Sequence, residues 1–245
     1  MKLLCLDIGN TSITICDYKN EKLGEITRIA SDENFINQLT KYNLGSFDFI
    51  ILCSVVPNLT KLLINYCKNH SINVYEINHK KSHLHLHVDN PSEVGNDRIC
   101  NAIAAKKLNF NPSIIIDFGT ATTYDVINND GDFIGGAIAP GIDVSADYLI
   151  NKTALLKDTI YKFPPKVIGK NTISNIQSGV MYGGLASVEG MIKLIDAEIG
   201  DVINNIIITG GFGKLISEKI NIKHTYIESL TIEGMLQVFF KNQKY

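Results

Sequence analysis

The sequence predicts an α/β protein made of two similar domains, and three observations predict it. An apolar strand running into Asp-x-Gly and hydroxyl side chains occurs twice, as Leu3-Leu4-Cys5-Leu6-Asp7-Ile8-Gly9-Asn10-Thr11-Ser12 and as Ile114-Ile115-Ile116-Asp117-Phe118-Gly119-Thr120-Ala121-Thr122-Thr123. Asp7 and Asp117 stand 110 positions apart, a little under half of the 245 residues. Each copy is followed by a second strand and another Gly-containing turn, Lys22-Leu23-Gly24 and Asp130-Gly131-Asp132. After each meander, helical spacing then alternates with short apolar runs, the pattern of α/β layers. The expected domains are 1–112 and 113–245, facing each other so that both Asp-x-Gly turns point into one cleft.

Residues 2–29 read as three strands, with turns at Asp7-Ile8-Gly9-Asn10 and Asn20-Glu21-Lys22. A helix is expected over 32–43, capped by Ser31 or Asp32. Phe49-Ile50-Ile51-Leu52-Cys53 is a continuous apolar run, the mark of a strand buried on both faces. Pro57 suits a helix start, and Leu59, Leu62, Leu63 and Tyr66 have helical spacing through 58–69. A strand follows at 72–77 and a helix at 96–108, with Ile99, Ile103 and Ala104 inward. The second half repeats the plan: a meander over 113–139, helices near 141–151 and 172–199, and the buried strand Ile206-Ile207-Ile208-Thr209. A helix at 212–219, a strand near 224–227 and a helix at 229–241 close the chain.

The composition, 45% hydrophobic and 20% charged, is that of a globular chain with a real core. A net charge of −2 argues against a general nucleic-acid or anionic-membrane surface. No apolar run approaches the roughly 20 residues of a membrane span. Asp7 interrupts the apolar N-terminal stretch, and no small-residue cleavage site follows it, so that stretch reads as a strand and not as a signal peptide. The five cysteines are scattered, odd in number and never paired as Cys-x-x-Cys, which fits reduced cytoplasmic thiols filling the core.

Several constellations can carry chemistry. Gly9 and Gly119 permit close approach of backbone to phosphate, while Asn10, Thr11, Thr120 and Thr122 add neutral donors. Asp7 can hold Mg²⁺, directly or through water. One such turn is weak evidence; two in matched strand context favour a nucleotide site over plain hairpin turns. Gly210-Gly211-x-Gly213 is a third turn, suited to the adenosine side of a nucleotide or simply to a strand-to-helix junction. In Asp89-Asn90-Pro91-Ser92-Glu93-Val94-Gly95-Asn96-Asp97-Arg98, a rigid loop leads into a helix whose first turn carries Asp97 and Arg98. There the carboxylate can take a proton from a hydroxyl and the guanidinium can grip a carboxylate or phosphate; a capping Asp beside a surface Arg is the plain alternative. Gly135-Gly136-Ala137-Ile138-Ala139-Pro140-Gly141 suits close backbone packing or a snug substrate wall. Thr172 is either a helix cap or a ligand. His83, His85 and His87 alternate, as on one strand face, without an acidic or Cys ligand at zinc spacing, so a solvated face outweighs a metal site.

Taken together, these segments resemble the type III pantothenate kinases of the acetate/sugar kinase–Hsp70–actin superfamily. The resemblance runs nearly end to end. It includes Asp7 to Thr11, Ser54-Val55-Val56-Pro57, Asp89-Asn90-Pro91, Gly95 to Arg98, Asp117 to Thr123, Gly135 to Gly141, Ile168-Gly169-Lys170-Asn171-Thr172, Gln177-Ser178-Gly179 and Thr209-Gly210-Gly211. It implies two duplicated actin-like, ribonuclease H-like domains with an ATP cleft between them. It also implies ATP-dependent phosphorylation of pantothenate to 4′-phosphopantothenate, the first step of coenzyme A synthesis. By resemblance, Asp97 is the general base, and Gly95, Asn96 and Arg98 belong to the pantothenate site, with Thr172. Asp7, Gly9, Asn10, Thr11, Gly119 and Thr120 serve ATP, Mg²⁺ accompanies it, and Asp117 holds K⁺ or ammonium. The family is homodimeric, with pantothenate near the subunit interface.

Two positions depart from the family pattern. Val88 stands where a pantothenate-contacting Tyr is usual, and Asn96 where Ala is frequent. Losing the Tyr removes one hydroxyl partner, worth about 1 kcal/mol. Two other functions therefore stay in view. One is a kinase for another small hydroxy acid, and the other is a non-catalytic ATP-binding regulator, which the presence of Asp7, Asp97 and Asp117 disfavours.

Overall fold

The computed structural model describes residues 1–151, 161–199, 203 and 205–243. In chain order, β1 (Lys2–Ile8), β2 (Ser12–Lys19), β3 (Lys22–Leu23) and β4 (Thr27–Ala30) lead into α1 (Phe35–Leu39). Then come β5 (Phe49–Ser54), α2 (Pro57–Asn69), β6 (Val74–Glu76), the short α3 (His79–Ser82) and α4 (Asn96–Lys107). The second run comprises β7 (Ser113–Phe118), β8 (Ala121–Ile127), β9 (Phe133–Pro140), α5 (Ile142–Asn151), α6 (Thr172–Ile199), β10 (Asn205–Gly210), α7 (Gly213–Ser217) and β11 (Thr225–Tyr226), and α8 (Leu230–Gln243) ends it.

Among the described residues the strands form two sheets with one plan. The first has the order β3-β2-β1-β5-β6, with β4 also pairing β2; the second has β9-β8-β7-β10-β11. In each, the strand carrying the Asp-x-Gly turn is central, and its next neighbour after the helical excursion lies parallel to it, β5 in one case and β10 in the other. The duplication seen in the motifs is thus a duplication of topology.

Two compact units result. One contains 1–111, 127–135 and 229–245, the other 112–126 and 136–228. A single cut at residue 112 therefore differs from the packing in two places: the 127–135 turn and the last helix belong with the first unit. In that unit one core packs Leu4, Leu6, Ile8, Ile50 and Leu52 against α1 and α2. The opposite sheet face packs Leu3, Cys5, Ile51 and Cys53 with Cys100 of α4 and Ile232, Met235 and Phe239 of α8. Period-2 alternation divides β1 between these two cores. In the second unit Ile114, Ile116 and Ile208 pack with Met181, Val188 and Ile192 of α6.

Local differences from expectation have visible causes. The helix expected over 32–43 begins only at Phe35 and ends in a 3₁₀ turn, Thr40–Tyr42. Ser31 does not cap it, because its Oγ donates to the Gly9 carbonyl at 2.6 Å. Asp32 instead accepts from the Asn34 N–H at 2.9 Å, closing a tight turn. The third strand of the first meander is interrupted at Gly24, where a Cβ would fall 1.8 Å from Asp17 Oδ1. The strand expected at 72–77 narrows to Val74–Glu76. His83, His85 and His87 do not lie on a regular strand: Leu86 makes an isolated bridge to Phe133, and His83 caps α3 in the left-handed region at φ 52°. Among the described residues no helix is long and apolar enough to cross a membrane.

Candidate active site

In the first unit the site is assembled at the carboxyl end of the sheet. Asp7 is the penultimate residue of β1, in register with Cys53 of parallel β5. Leu3, Cys5 and Asp7 alternate onto the face that meets α4, so Asp7 ends a row that is otherwise buried. On α4, Asp97 and Cys100 are three residues apart and share a helix face. Two carboxylates from distant segments thereby converge above one thiol. Burial and a hydrogen bond with Cys100 raise the Cys53 thiol well above its ordinary value, the hydrogen bond being the larger cause, and the charges of Asp7 and Asp97 add to the shift.

The turn after Asp7 is held by its own backbone. The Gly9 N–H donates to the Ser12 carbonyl at 3.0 Å, and the Ser31 N–H donates to the Thr11 carbonyl at 3.1 Å. A Cβ on Gly9 would stand 3.1 Å from the Ser12 oxygen, so the turn is drawn tight. Asn10 and Thr11 are exposed at its tip, where backbone and side-chain donors can meet phosphate.

Gly95 precedes α4 for a steric reason. A Cβ there would lie 2.4 Å from Asp97 Oδ1. That oxygen folds back onto the helix start and accepts from the Arg98 N–H at 2.8 Å. Asn96 anchors the same turn to β5 by donating from Nδ2 to the Ser54 carbonyl at 3.2 Å. Burial raises the Asp97 carboxyl above its ordinary value, and the Arg98 N–H and guanidinium offset part of that rise. The Arg98 guanidinium carbon lies 5.4 Å from the centre of the Phe133 ring. The preceding loop is rigid: Asn90 Oδ1 accepts from the Ser92 N–H and hydroxyl at 3.2 and 2.6 Å, while Asn90 Nδ2 donates to Glu93 Oε1 at 2.7 Å. Val88 is half-buried just before it.

The second unit repeats the turn. Asp117 pairs with Thr209 of parallel β10, and the Gly119 N–H donates to the Ala121 carbonyl at 3.0 Å. Gly210 has φ +88°, and a Cβ there would lie 2.4 Å from Asp117 Oδ1 and 2.5 Å from the Phe118 nitrogen. Only glycine leaves room for this carboxylate. Gly141 packs as closely beneath Gly119 and Thr120, its N–H donating to the Thr120 carbonyl at 3.0 Å. Thr120 is exposed. Thr172 is the first residue of α6 and exposed, and the cap is Asn171, whose Oδ1 accepts from the Ser174 N–H at 2.9 Å.

The structure therefore gathers Asp7, Gly9, Asn10, Thr11, Gly95, Asn96, Asp97 and Arg98 in one unit, with Val88 in the loop leading to α4. It places Asp117, Gly119, Thr120 and Thr172 in the other. Sequence reasoning missed Phe133 and the Cys53–Cys100 pair, because apolar and small residues inside strands carry no motif. His85 and His87 meet Asp132 rather than one another, and among the described residues no group of three His, Cys, Asp or Glu side chains is arranged to hold a metal ion.

The class follows from topology: two sheets of one plan, each with a glycine turn after its central acidic strand, form an actin-like ATPase fold. Solved structures with this fold include a Campylobacter jejuni protein provisionally described as a Baf family transcriptional activator (TM-score 0.66, 19% identity, 99% of this chain and 100% of that one). They also include acetate kinase from Entamoeba histolytica (TM-score 0.53, 9% identity, all of both chains) and MreB5 of Spiroplasma citri bound to ADP (TM-score 0.53, 13% identity, 98% and 96%). Within this class the family model of type III pantothenate kinase matches residues 3–194. Type III pantothenate kinases of Moorella thermoacetica and Dehalococcoides mccartyi strain BAV1 are 36% and 37% identical, over 98% and 99% of this chain and 99% and 97% of theirs. The chain belongs to the type III pantothenate kinase family.

Proposed function

We propose that this chain transfers the γ-phosphoryl group of ATP to the terminal hydroxyl of pantothenate, giving 4′-phosphopantothenate for coenzyme A synthesis. The convergence of Asp97 and Asp7 carries this reading: a carboxylate with a raised proton affinity stands at a helix start, next to a phosphate-binding turn. Asp97 takes the hydroxyl proton as the oxygen attacks phosphorus, and its burial brings it closer to the operating pH of a general base. Arg98 holds the pantothenate carboxylate, bidentate where geometry allows. In the first unit the N–H groups of the Gly9 turn, with Asn10 and Thr11, are the donors for phosphate, and in the second unit the Gly119 turn and Thr120 offer donors of the same kind. Thr172 adds a hydroxyl to the substrate.

The residues fit the cations this chemistry uses. Asp7 gives one carboxylate at a strand end, the number a Mg²⁺ ion takes when phosphates and water supply its other ligands. Asp117 is a hard-oxygen donor beside the carbonyls of a tight turn, which suits K⁺ or ammonium. When bound, these ions neutralise phosphate charge. The homodimer rests on the family resemblance, which puts the acceptor near the subunit interface.

The test is ADP production by the purified protein with ATP, Mg²⁺ and K⁺, with and without pantothenate, repeated with Na⁺ in place of K⁺. Turnover that requires pantothenate and K⁺ is expected. Absence of pantothenate-dependent turnover from a folded, ATP-binding protein overturns the reading. Val88, which lacks the hydroxyl of the usual Tyr, then favours another small hydroxy acid as acceptor.

A further inference from the structure

Phe133 opens β9 and is 1% exposed, yet neither the motifs nor the proposed chemistry use it. Its ring lies 5.4 Å from the guanidinium carbon of Arg98. Its backbone is bonded in both directions to the segment that ends at Val88: the Phe133 N–H donates to the His85 carbonyl at 3.0 Å, and its carbonyl accepts from the His87 N–H at 2.8 Å. One residue thus touches both stretches that flank the proposed pantothenate site.

The turn that carries Phe133 is itself fixed. Asn128 Oδ1 accepts from the N–H groups of Asp130 and Asp132 at 3.0 and 2.9 Å. Gly131 turns at φ +71°, so close to α4 that a Cβ would stand 2.7 Å from the Lys106 side chain. Asp132 then faces Lys106 Nζ at 3.3 Å, His87 Nε2 at 3.2 Å and His85 Nδ1 at 3.8 Å. These ties hold the backbone that carries the ring without involving the Arg98 side chain.

We propose that Phe133 is a positioning residue for Arg98, setting the affinity for the acceptor's carboxylate without taking part in phosphoryl transfer. An arginine at a helix start has many rotamers, and binding a carboxylate must select one of them. The negative face of a buried ring attracts a guanidinium within about 6 Å of its centre and so narrows the rotamers that Arg98 samples. This preference acts before chemistry and persists through it, so it is uniform binding: it changes KM and leaves kcat alone. The inference rests on the reading of Arg98 as the carboxylate anchor.

The experiment replaces Phe133 site-specifically by 4-fluoro-, 3,5-difluoro- and 3,4,5-trifluorophenylalanine in the full chain. Fluorine drains charge from the ring face while nearly preserving its shape, so folding, read by the melting temperature, stays constant. Pantothenate KM is expected to rise stepwise, by about three- to tenfold across the series, with kcat and the KM for ATP unchanged. In an Arg98→Met background the series should be flat. A flat series in the native background, or an equal rise in the Arg98→Met background, overturns the proposal. A wild-type chain without pantothenate-dependent turnover overturns the functional reading alone. The Arg98 Nε–H resonance then tests the positioning directly. A ring-current shift that Phe133→Leu abolishes supports it, and a resonance unmoved by that substitution overturns it.

Discussion

Asp97 illustrates how a residue's usefulness and its stability cost share one cause. Burial lifts its carboxyl above the ordinary carboxylate value, and the N–H and charge of Arg98 only partly restore it. The folded chain therefore binds this proton more tightly than the unfolded chain does. The stability this one group contributes is fully present below the ordinary value and is lost as pH rises through the folded value. Asp97→Asn removes that loss, so the variant should melt above the wild type at pH 7, with the gain shrinking near pH 4. The same substitution should lower kcat by about 10² to 10⁴-fold while ATP binding, followed by calorimetry, is retained. Near-normal turnover by Asp97→Asn would assign the base elsewhere. In the wild type, kcat/KM should fall on the acid side above the usual carboxylate range, because the free enzyme's base titrates there. Asp97 stood out in the sequence as a candidate, a carboxylate in a first helical turn after a Pro/Gly loop, with a plain helix-capping Asp as the alternative reading. Phe133 did not, because its partner Arg98 is distant in the chain and an apolar strand residue looks like core.

At the scale of elements, two glycines hold two carboxylates, and their backbones separate the consequences. Gly210 stands at φ +88°, and an added Cβ would strike the Phe118 backbone at 2.5 Å. Gly210→Ala should cost about 1–3 kcal/mol, seen as a lower denaturation midpoint, and weaken the K⁺ dependence of any residual turnover. Gly95 has φ −56°, which alanine adopts readily, and the only contact under 3 Å would be the Asp97 carboxylate. Gly95→Ala should fold with near wild-type stability and lose about tenfold or more in kcat, because the base is pushed from its seat. Equal stability losses in the two variants would refute this distinction. Strands and long helices could be read from period and composition because their faces are uniformly buried. Short-range competition was harder to read: Ser31 looks like a helix cap but serves the Gly9 carbonyl, and Asn171, not Thr172, caps α6. At Ser31 the hydroxyl gives its donor to a distant carbonyl, at Asn171 two neighbouring acceptors compete for one N–H, and only tertiary placement decides each case.

For the whole chain, the order of residues and the order of packing part company at the last helix. Sequence places α8 at the end of the second half, but Leu230, Ile232, Met235, Leu236, Val238 and Phe239 are buried in the first unit. Nothing local announces this, because an apolar helix face does not specify which sheet it will cover. The seam between α8 and α4 is close enough to act as a lever on the site. A Cβ at Gly234 would lie 1.9 Å from the Cys100 carbonyl and 2.8 Å from its Cα, so backbone meets backbone there. Thr231 Oγ1 donates to Asn101 Oδ1 at 2.8 Å across the same seam. Gly234→Ala must move one helix from the other and should cost about 1–3 kcal/mol by denaturant melt. Cys100 is one turn from Asp97 on the same helix, so kcat should fall with stability in this variant, although residue 234 is far along the chain from every motif. Gly190 in α6 supplies the contrast. Its added Cβ meets nothing within 4 Å, so Gly190→Ala should raise stability by about 0.5–1 kcal/mol and leave kcat unchanged. If both alanines behave alike, the α4–α8 seam is plastic, and the placement of Asp97 owes nothing to the returning helix.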